Sequence, residues 1–188
     1  FDMKLKDISD IAKQSSFKVF KSVIEKGGIV KGLCAPGGAR YSRSDIEKTL
    51  TAFVGDYGAK GLAWLKAKEE NGKVTLSSSI SKFFSSEQLD KVSELFDAKD
   101  GDLLLLVADN KSVVNKSLAP LRCRLAKELG LYDKNSYEFV WIVDFPLFEW
   151  NQDQKRYDSL HHPFTAPVTE DIEKLDTDPA NIISQAYD

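Results

Sequence analysis

The residues best suited to chemistry are the two histidines of the chain, which stand side by side at positions 161 and 162. A histidine donates hydrogen bonds to carboxylates and changes its charge near neutral pH. Neighbouring residues of an extended segment point to opposite faces, and the pair lacks the helical spacing of a shared metal site. The sequence therefore indicates one histidine facing a polar pocket and the other packed behind it. A structural role for both is the alternative.

Three further groups of residues are weaker candidates for chemistry. Cys34 and Cys123 are far apart and lack C-x-x-C spacing, which favours two reduced thiols over a disulfide or a zinc site. The segment Pro36–Arg40 is glycine-rich but lacks the spacing of a phosphate-binding loop, so we predict a plain turn. The aspartates between positions 97 and 102 lack the ligand order of a calcium loop, which favours a solvated turn.

Basic residues are the last candidates. Arg122 and Arg124 flank Cys123, and a lysine-rich stretch lies near Trp64, Phe83 and Phe84. The lysines of that stretch are Lys60, Lys66, Lys68, Lys73 and Lys82. A basic edge with aromatic residues is typical of a surface that touches RNA, but a solvated lysine face is the more common arrangement.

Apolar periodicity predicts the elements that position these residues. We expect helices over residues 7–13, 44–57 and 111–129, with another from Ser85 or Ser86 to about residue 100. Ser44 and Glu47 are expected to form a capping box, and Pro120 to kink or split the third long helix. Strands are predicted over 17–20, 29–33, 62–67, 73–76, 103–108 and 139–143, and a polar hairpin over 151–155. An acidic helical tail is predicted over 169–188, with a break at Asp178-Pro179.

The order of these elements predicts an α+β fold, in which helices pack on one face of a largely antiparallel sheet. Its 188 residues, 42% of them hydrophobic, can bury a core, and the net charge of −3 excludes a strongly basic nucleic-acid-binding protein. The longest apolar run, Leu103–Ala108, is far too short to span a membrane. The chain starts at Phe1 and stops in a helix-like stretch at 182–187, so we expect a segment of a longer protein.

Two motifs add a resemblance. Residues 141–149 read Trp-Ile-Val-Asp-Phe-Pro-Leu-Phe-Glu, and residues 160–167 read Leu-His-His-Pro-Phe-Thr-Ala-Pro. In this order they resemble the bacterial-type aspartyl-tRNA synthetases. Upstream, Pro36–Ala39, Tyr57–Ala63 and Ala108–Lys111 resemble the GAD domain, the insertion module of that family, which also occurs in certain tRNA-dependent amidotransferases.

The resemblance implies a cytoplasmic class II ligase that activates L-aspartate with ATP and Mg²⁺ and transfers it to tRNA. It implies that His161, and with it His162, contacts the substrate. It further implies a link from the catalytic core over residues 1–16, a GAD insertion domain over 17–135 and a partial class II catalytic segment over 136–188. The arginine that grips ATP and the acidic Mg²⁺ ligands belong to motifs outside this chain, so we expect the chain alone to bind no cofactor and to be inactive.

The parent enzyme is expected to be a homodimer without membrane association, which charges either tRNA-Asp alone or tRNA-Asn as well. Two alternatives stay open. One is the tRNA-contacting GAD module of an amidotransferase subunit, and the other is a free-standing adaptor that kept the module. The His-His-Pro motif after Asp144-Phe145-Pro146 favours the synthetase.

Overall fold

Five antiparallel strands organise the first part of the chain. The computed structural model describes residues 2–133 and 135–186. The chain divides into two units, residues 1–136 and 137–188. The sequence predicted a domain boundary between residues 135 and 136, which is one residue before the boundary between these two units. The first 16 residues contribute a strand and a helix to the first unit. Their assignment as a link from a catalytic core stays a prediction.

The strands of the first unit are β1 (Lys6–Asp7), β2 (Ile29–Ala35), β3 (Ala63–Glu70), β4 (Lys73–Ser77) and β5 (Leu103–Asp109). Their order is β1-β2-β5-β3-β4, and every neighbouring pair is antiparallel. The predicted strands at 29–33, 62–67, 73–76 and 103–108 are therefore confirmed. Asn71 and Gly72, with φ of 54° and 78°, form the tight turn between β3 and β4.

The helices of this unit are α1 (Ser9–Gln14), α2 (Lys18–Glu25), α3 (Thr51–Gly55), α4 (Ser86–Phe96) and α5 (Lys111–Leu129). A π-helical stretch, Asp45–Leu50, runs directly into α3, and Gly38–Arg40 and Ser81–Phe83 form 3-10 turns. Ser85 caps α4 through a capping box with Gln88. The predicted helices at 7–13, 44–57 and 111–129 are thus confirmed in position. The helix predicted from residue 85 or 86 to about residue 100 is confirmed at its start, but α4 ends at Phe96.

Helices cover both faces of the sheet, so the prediction of helices on one face was wrong. Leu103, Leu105 and Val107 of β5 join a core with residues of α3 and α5. Leu104 and Leu106 of the same strand join a second core with residues of α1, α2 and α4. The physical reason lies in β5 itself, because an uninterrupted apolar strand needs a cover on each side.

The predicted strand at residues 17–20 is also wrong, since this segment starts helix α2. Its apolar residues fit the helical spacing as well as strand alternation: Phe20 is buried, and Phe17 and Ile24 pack on the same core. Four residues are too few to distinguish the two periods.

Two details of the helix ends differ from the sequence prediction. Ser42 rather than Ser44 makes the reciprocal contacts, because its Oγ accepts from the Asp45 amide at 3.1 Å and its amide donates to Asp45 Oδ2 at 2.9 Å. Glu47 is held instead by Arg43 Nε, at 2.8 Å. Pro120 does not split α5, which is continuous from residue 111 to 129.

The second unit contains the hairpin β6 (Phe148–Asn151) and β7 (Arg156–Ser159), as predicted. Short 3-10 helices follow at Thr169–Lys174 and Pro179–Asn181. The rest of the predicted helical tail is wrong, because residues 182–185 are extended and their backbone bonds to residues 145–147 and 166–168. Tyr187 and Asp188, the end of the predicted tail, lie outside the described residues.

Residues 139–143 were predicted to form a strand and do not. Their apolar side chains are exposed by 71–97%, and no described strand pairs with this segment. A strand becomes stable only when a neighbour takes up its backbone hydrogen bonds. The sequence pattern therefore reports a strand for which the described residues hold no partner.

Candidate functional site

His161 lies at the centre of the second unit, where three chain segments meet. It follows β7, while the Asp144–Leu147 loop and the extended residues 182–185 flank it. The Ser184 amide donates to the Phe145 carbonyl at 2.8 Å, and the Leu147 amide donates to the Ile182 carbonyl at 2.9 Å. These backbone bonds join the two flanking segments, so the surroundings of His161 are built from the main chain.

The His161 ring is fixed by contacts on one of its nitrogens. Nε2 lies 3.1 Å from the Pro146 carbonyl oxygen and 3.2 Å from Ser184 Oγ. The ring also packs edge-on against Phe145, with ring centres 4.8 Å apart. The side chain is half-buried. This is the histidine that faces a polar environment, and it is the one that the family resemblance implies as a substrate contact.

His162 has different surroundings, which agree with the expectation that adjacent histidines diverge. It is exposed, its ring centre lies 4.8 Å from that of Phe164, and its Nδ1 accepts a 3.4 Å hydrogen bond from the Phe164 amide. The Thr165 amide donates to the His162 carbonyl at 2.8 Å, which closes a turn. His162 thus shapes the turn, and none of its contacts is shared with the His161 ring.

The Asp171 carboxylate binds the extended residues 182–185 next to the His161 site. Its Oδ2 accepts from the Ile183 amide at 2.9 Å, next to Ser184, and its Oδ1 pairs with Lys174 Nζ at 2.5 Å. The hydrogen bond from Lys174 and that from the Ile183 amide lower the pKa of this carboxyl. A carboxylate with a lowered pKa stabilises the fold above its unfolded pKa, and this contribution is lost as pH falls through the folded value.

Sequence reasoning missed Ser184 and Asp171. Both lie in the segment predicted as a helical tail, and no motif distinguishes either of them. The available signal was weak: Ile182, Ile183 and the polar residues around them fit an extended segment as well as a helix.

In the first unit, the glycine-rich segment is a turn, as predicted, and a buried carboxylate takes up its free amide. Asp102 accepts from the Gly37 amide at 3.0 Å and from the Lys99 amide at 2.9 Å. Gly37 has φ of 66°, which favours glycine. The amide that a phosphate would need is therefore already occupied, and Asp102 acts as a structural carboxylate rather than as part of a solvated turn.

Cys34 donates to the same carboxylate, with Sγ 3.5 Å from Asp102 Oδ2. Burial and the negative charge of Asp102 raise the pKa of the Cys34 thiol to about 12. Cys123 is exposed, and both cysteines are free. Cys34 is held in its neutral thiol form. That both thiols are reduced stays a prediction.

The basic residues singled out in the sequence make contacts within the first unit. Lys66 Nζ donates to the Ala39 and Tyr41 carbonyls at 2.8 and 2.7 Å. Arg122 Nε donates to the Met3 carbonyl at 2.7 Å, and Arg124 pairs with Glu128 at 2.7 Å. Lysines 60, 68 and 73 pair with Asp109, Glu70 and Asp90. These partners favour a structural and solvated role for the basic residues over a dedicated RNA contact.

Within residues 2–133 and 135–186, no group of three or more histidine, cysteine or acidic residues is placed to hold a metal ion. No helix of these ranges combines the length and the hydropathy of a membrane span.

The first unit is an antiparallel five-stranded sheet covered by helices on both faces. The GAD domain model matches residues 20–118, just over half of the chain, and the chain therefore belongs to this family.

Known proteins resemble the chain along its whole length. It is 50% identical over 188 residues to a protein of Desulfatibacillum aliphaticivorans named aspartate–tRNA(Asp/Asn) ligase. It is 49% identical over 189 aligned positions to the aspartate–tRNA ligase of Staphylococcus carnosus. In both cases all of this chain is covered, but only 31% of the relative, so the chain spans about a third of the length of the curated relatives it matches.

Proposed function

We propose that this chain is the GAD domain and an adjoining catalytic segment of an aspartate–tRNA ligase. The observation that carries the proposal is an identity of about one half over alignments that cover both units, to relatives that bear this name. The identity includes the second unit, which lies beyond the matched GAD model. That extension favours the ligase over the GAD module of an amidotransferase subunit.

In this proposal His161 contacts the L-aspartate substrate, with His162 beside it. A carboxylate needs hydrogen-bond donors, and charge-assisted bonds are shorter and stronger than neutral ones. A site that pairs with both oxygens of a carboxylate also rejects the uncharged amide analogue, because its donors would then lack acceptors. The half-buried His161 ring, held by the main chain around it, suits this role better than the exposed His162 ring.

The reaction also requires ATP and Mg²⁺, and we propose that residues outside this chain hold both. When bound, Mg²⁺ neutralises phosphate charge during activation of the amino acid. We further propose tRNA as the second substrate, and a cytoplasmic homodimer as the state of the whole ligase. The name of one relative gives tRNA(Asp/Asn) as the acceptor and that of the other gives tRNA without specifying it, so we propose no choice between tRNA-Asp alone and both acceptors.

The experiment is aspartate-dependent ATP–pyrophosphate exchange by the longer protein that contains this chain, with His161→Ala and His162→Ala as a matched pair. Loss of a hydrogen bond to a charged group should raise the apparent KM for aspartate about ten- to a hundredfold in His161→Ala, and less in His162→Ala. The KM for ATP serves as the control and should stay the same. A well-folded longer protein without exchange would contradict the ligase proposal. Exchange with an unchanged aspartate KM in His161→Ala would contradict the role of His161 alone.

A further inference from the structure

The hydrogen bonds around His161 determine which ring nitrogen carries the proton. The Pro146 carbonyl oxygen, 3.1 Å from Nε2, only accepts hydrogen bonds. The contact is therefore a hydrogen bond only if Nε2 is protonated.

Ser184 agrees with this arrangement. Its Oγ lies 2.9 Å from the Phe145 carbonyl, another pure acceptor, so its single proton points there. The lone pairs of Oγ are then free to accept from Nε2, 3.2 Å away. The His161 Nε2–H is thus shared between the Pro146 carbonyl and the Ser184 hydroxyl, and both oxygens act as acceptors towards the ring.

The other ring nitrogen has no such contact. Within the described part of the chain, the hydrogen bonds of the His161 side chain all involve Nε2. Phe145 packs against the ring and limits its rotation. With Nε2 anchored, Nδ1 is the nitrogen left to meet a ligand.

The support for Ser184 is itself rigid. Ser184 is 8% exposed, and its backbone lies between the Phe145 carbonyl and the Asp171 carboxylate, which holds the Ile183 amide next to it at 2.9 Å. The Ser184 amide bonds to Phe145 independently of the hydroxyl. Removal of the hydroxyl should therefore leave the backbone in place and affect only the ring.

We infer that Ser184 is a positioning residue that, together with the Pro146 carbonyl, keeps the proton of the neutral His161 ring on Nε2 and directs Nδ1 towards the substrate. Nδ1 donates to the substrate carboxylate once the ring takes up a second proton from solvent, because only the doubly protonated ring has donors on both nitrogens. The tautomer follows from the contacts alone, whereas the role towards the substrate rests on the proposed function.

The tautomer is tested by ¹⁵N NMR of the histidine rings in the 188-residue chain, at an alkaline pH where histidine rings are neutral. His162→Gln removes one of the two sets of signals and assigns the other. We expect a protonated Nε2 and an unprotonated Nδ1 in His161. In Ser184→Ala the Nδ1–H form should gain population, whereas Thr177→Ala, which removes an exposed hydroxyl of the same unit, should change nothing. A predominant Nδ1–H form in the unmodified chain, or identical spectra with and without the Ser184 hydroxyl, would overturn the inference.

The role towards the substrate is tested in the longer protein by the exchange assay. Ser184→Ala should raise the apparent KM for aspartate about two- to tenfold, with kcat and the KM for ATP unchanged, and Ser184→Thr should restore it. A merely structural serine would instead lower kcat and affect both substrates. If the longer protein shows no exchange, the proposed function fails while the tautomer result stands. If exchange occurs and Ser184→Ala matches the parent, the positioning role fails by itself.

Discussion

At the scale of single residues, the two cysteines show how burial decides reactivity. Cys34 and Cys123 cannot be told apart by spacing, because both are isolated in the sequence. In the structure Cys34 lies against the Asp102 carboxylate, whereas Cys123 is exposed on α5. The thiolate is the reactive form of cysteine, and the negative charge of a neighbouring carboxylate disfavours it.

We predict that thiol reagents modify Cys123 much faster than Cys34. A shift of the Cys34 pKa from 9.0 to about 12 reduces its thiolate fraction about a thousandfold at mildly alkaline pH. The difference should persist until the pH approaches the raised value, where the buried thiol begins to ionise. Mass spectrometry after brief alkylation measures the two rates, and Cys123→Ser should leave no fast-reacting thiol. Equal rates at the two positions in the folded chain would contradict the prediction.

The candidate site was only partly predictable at this scale. The adjacent histidines were visible, and their divergence followed from the geometry of an extended segment. The partners Ser184 and Asp171 were not visible, because their role depends on which main-chain segments the fold brings beside residues 145 and 161. Such contacts across the fold leave no local pattern in one sequence.

At the scale of elements, strands with clear turns were predictable and short ambiguous segments were not. β3 and β4 followed from alternating residues around Asn71-Gly72, whereas residues 17–20 fitted two periods and form a helix. The two-sided cover of the sheet could have been read from β5, since its apolar run matches burial on both faces. The strand at 139–143 failed for another reason: pairing depends on a neighbour, which the pattern of the segment itself does not reveal.

The close approach of β2 to β5 gives a prediction about glycine. A Cβ at Gly32 would collide with the Leu105 carbonyl oxygen and with the Leu106 side chain. Gly32→Ala should therefore lower the free energy of unfolding by about 2–3 kcal/mol, because the central strand pair must separate. Gly55, at the end of α3, is the matched control, since a Cβ there meets open space. Gly55→Ala should raise stability by about 0.5–1 kcal/mol. Urea unfolding measures both, and an unchanged stability of Gly32→Ala would contradict the close packing of β2 on β5.

At the scale of the whole molecule, the net charge of −3 is the sum over two units whose net charges have opposite signs. Residues 1–136 contain 23 lysines and arginines against 18 acidic residues, a net charge of +5. Residues 137–188 contain 3 against 11, a net charge of −8. The total charge of the sequence therefore describes neither unit. The charge of each unit can be counted only once the boundary between residues 136 and 137 is known.

The exposed apolar segment at 139–143 and the share of the relatives that the chain covers lead to a prediction about activity. The chain matches about a third of each curated relative, and its residues 139–143 expose most of their apolar surface. Large exposed apolar patches mark interaction surfaces, and we propose that the longer protein covers this one. We therefore predict that the purified 188-residue chain folds its first unit but shows no aspartate-dependent ATP–pyrophosphate exchange, whereas the longer protein does.

Circular dichroism and hydrogen exchange on β2 and β5 provide the folding control, so that absent exchange activity is not mistaken for an unfolded sample. Enzymatic rate accelerations require several groups to be positioned together, and we propose that the groups which hold ATP lie outside this chain. Measurable exchange by the short chain, abolished by His161→Ala, would contradict this prediction. It would mean that the residues which bind ATP lie within positions 1–188.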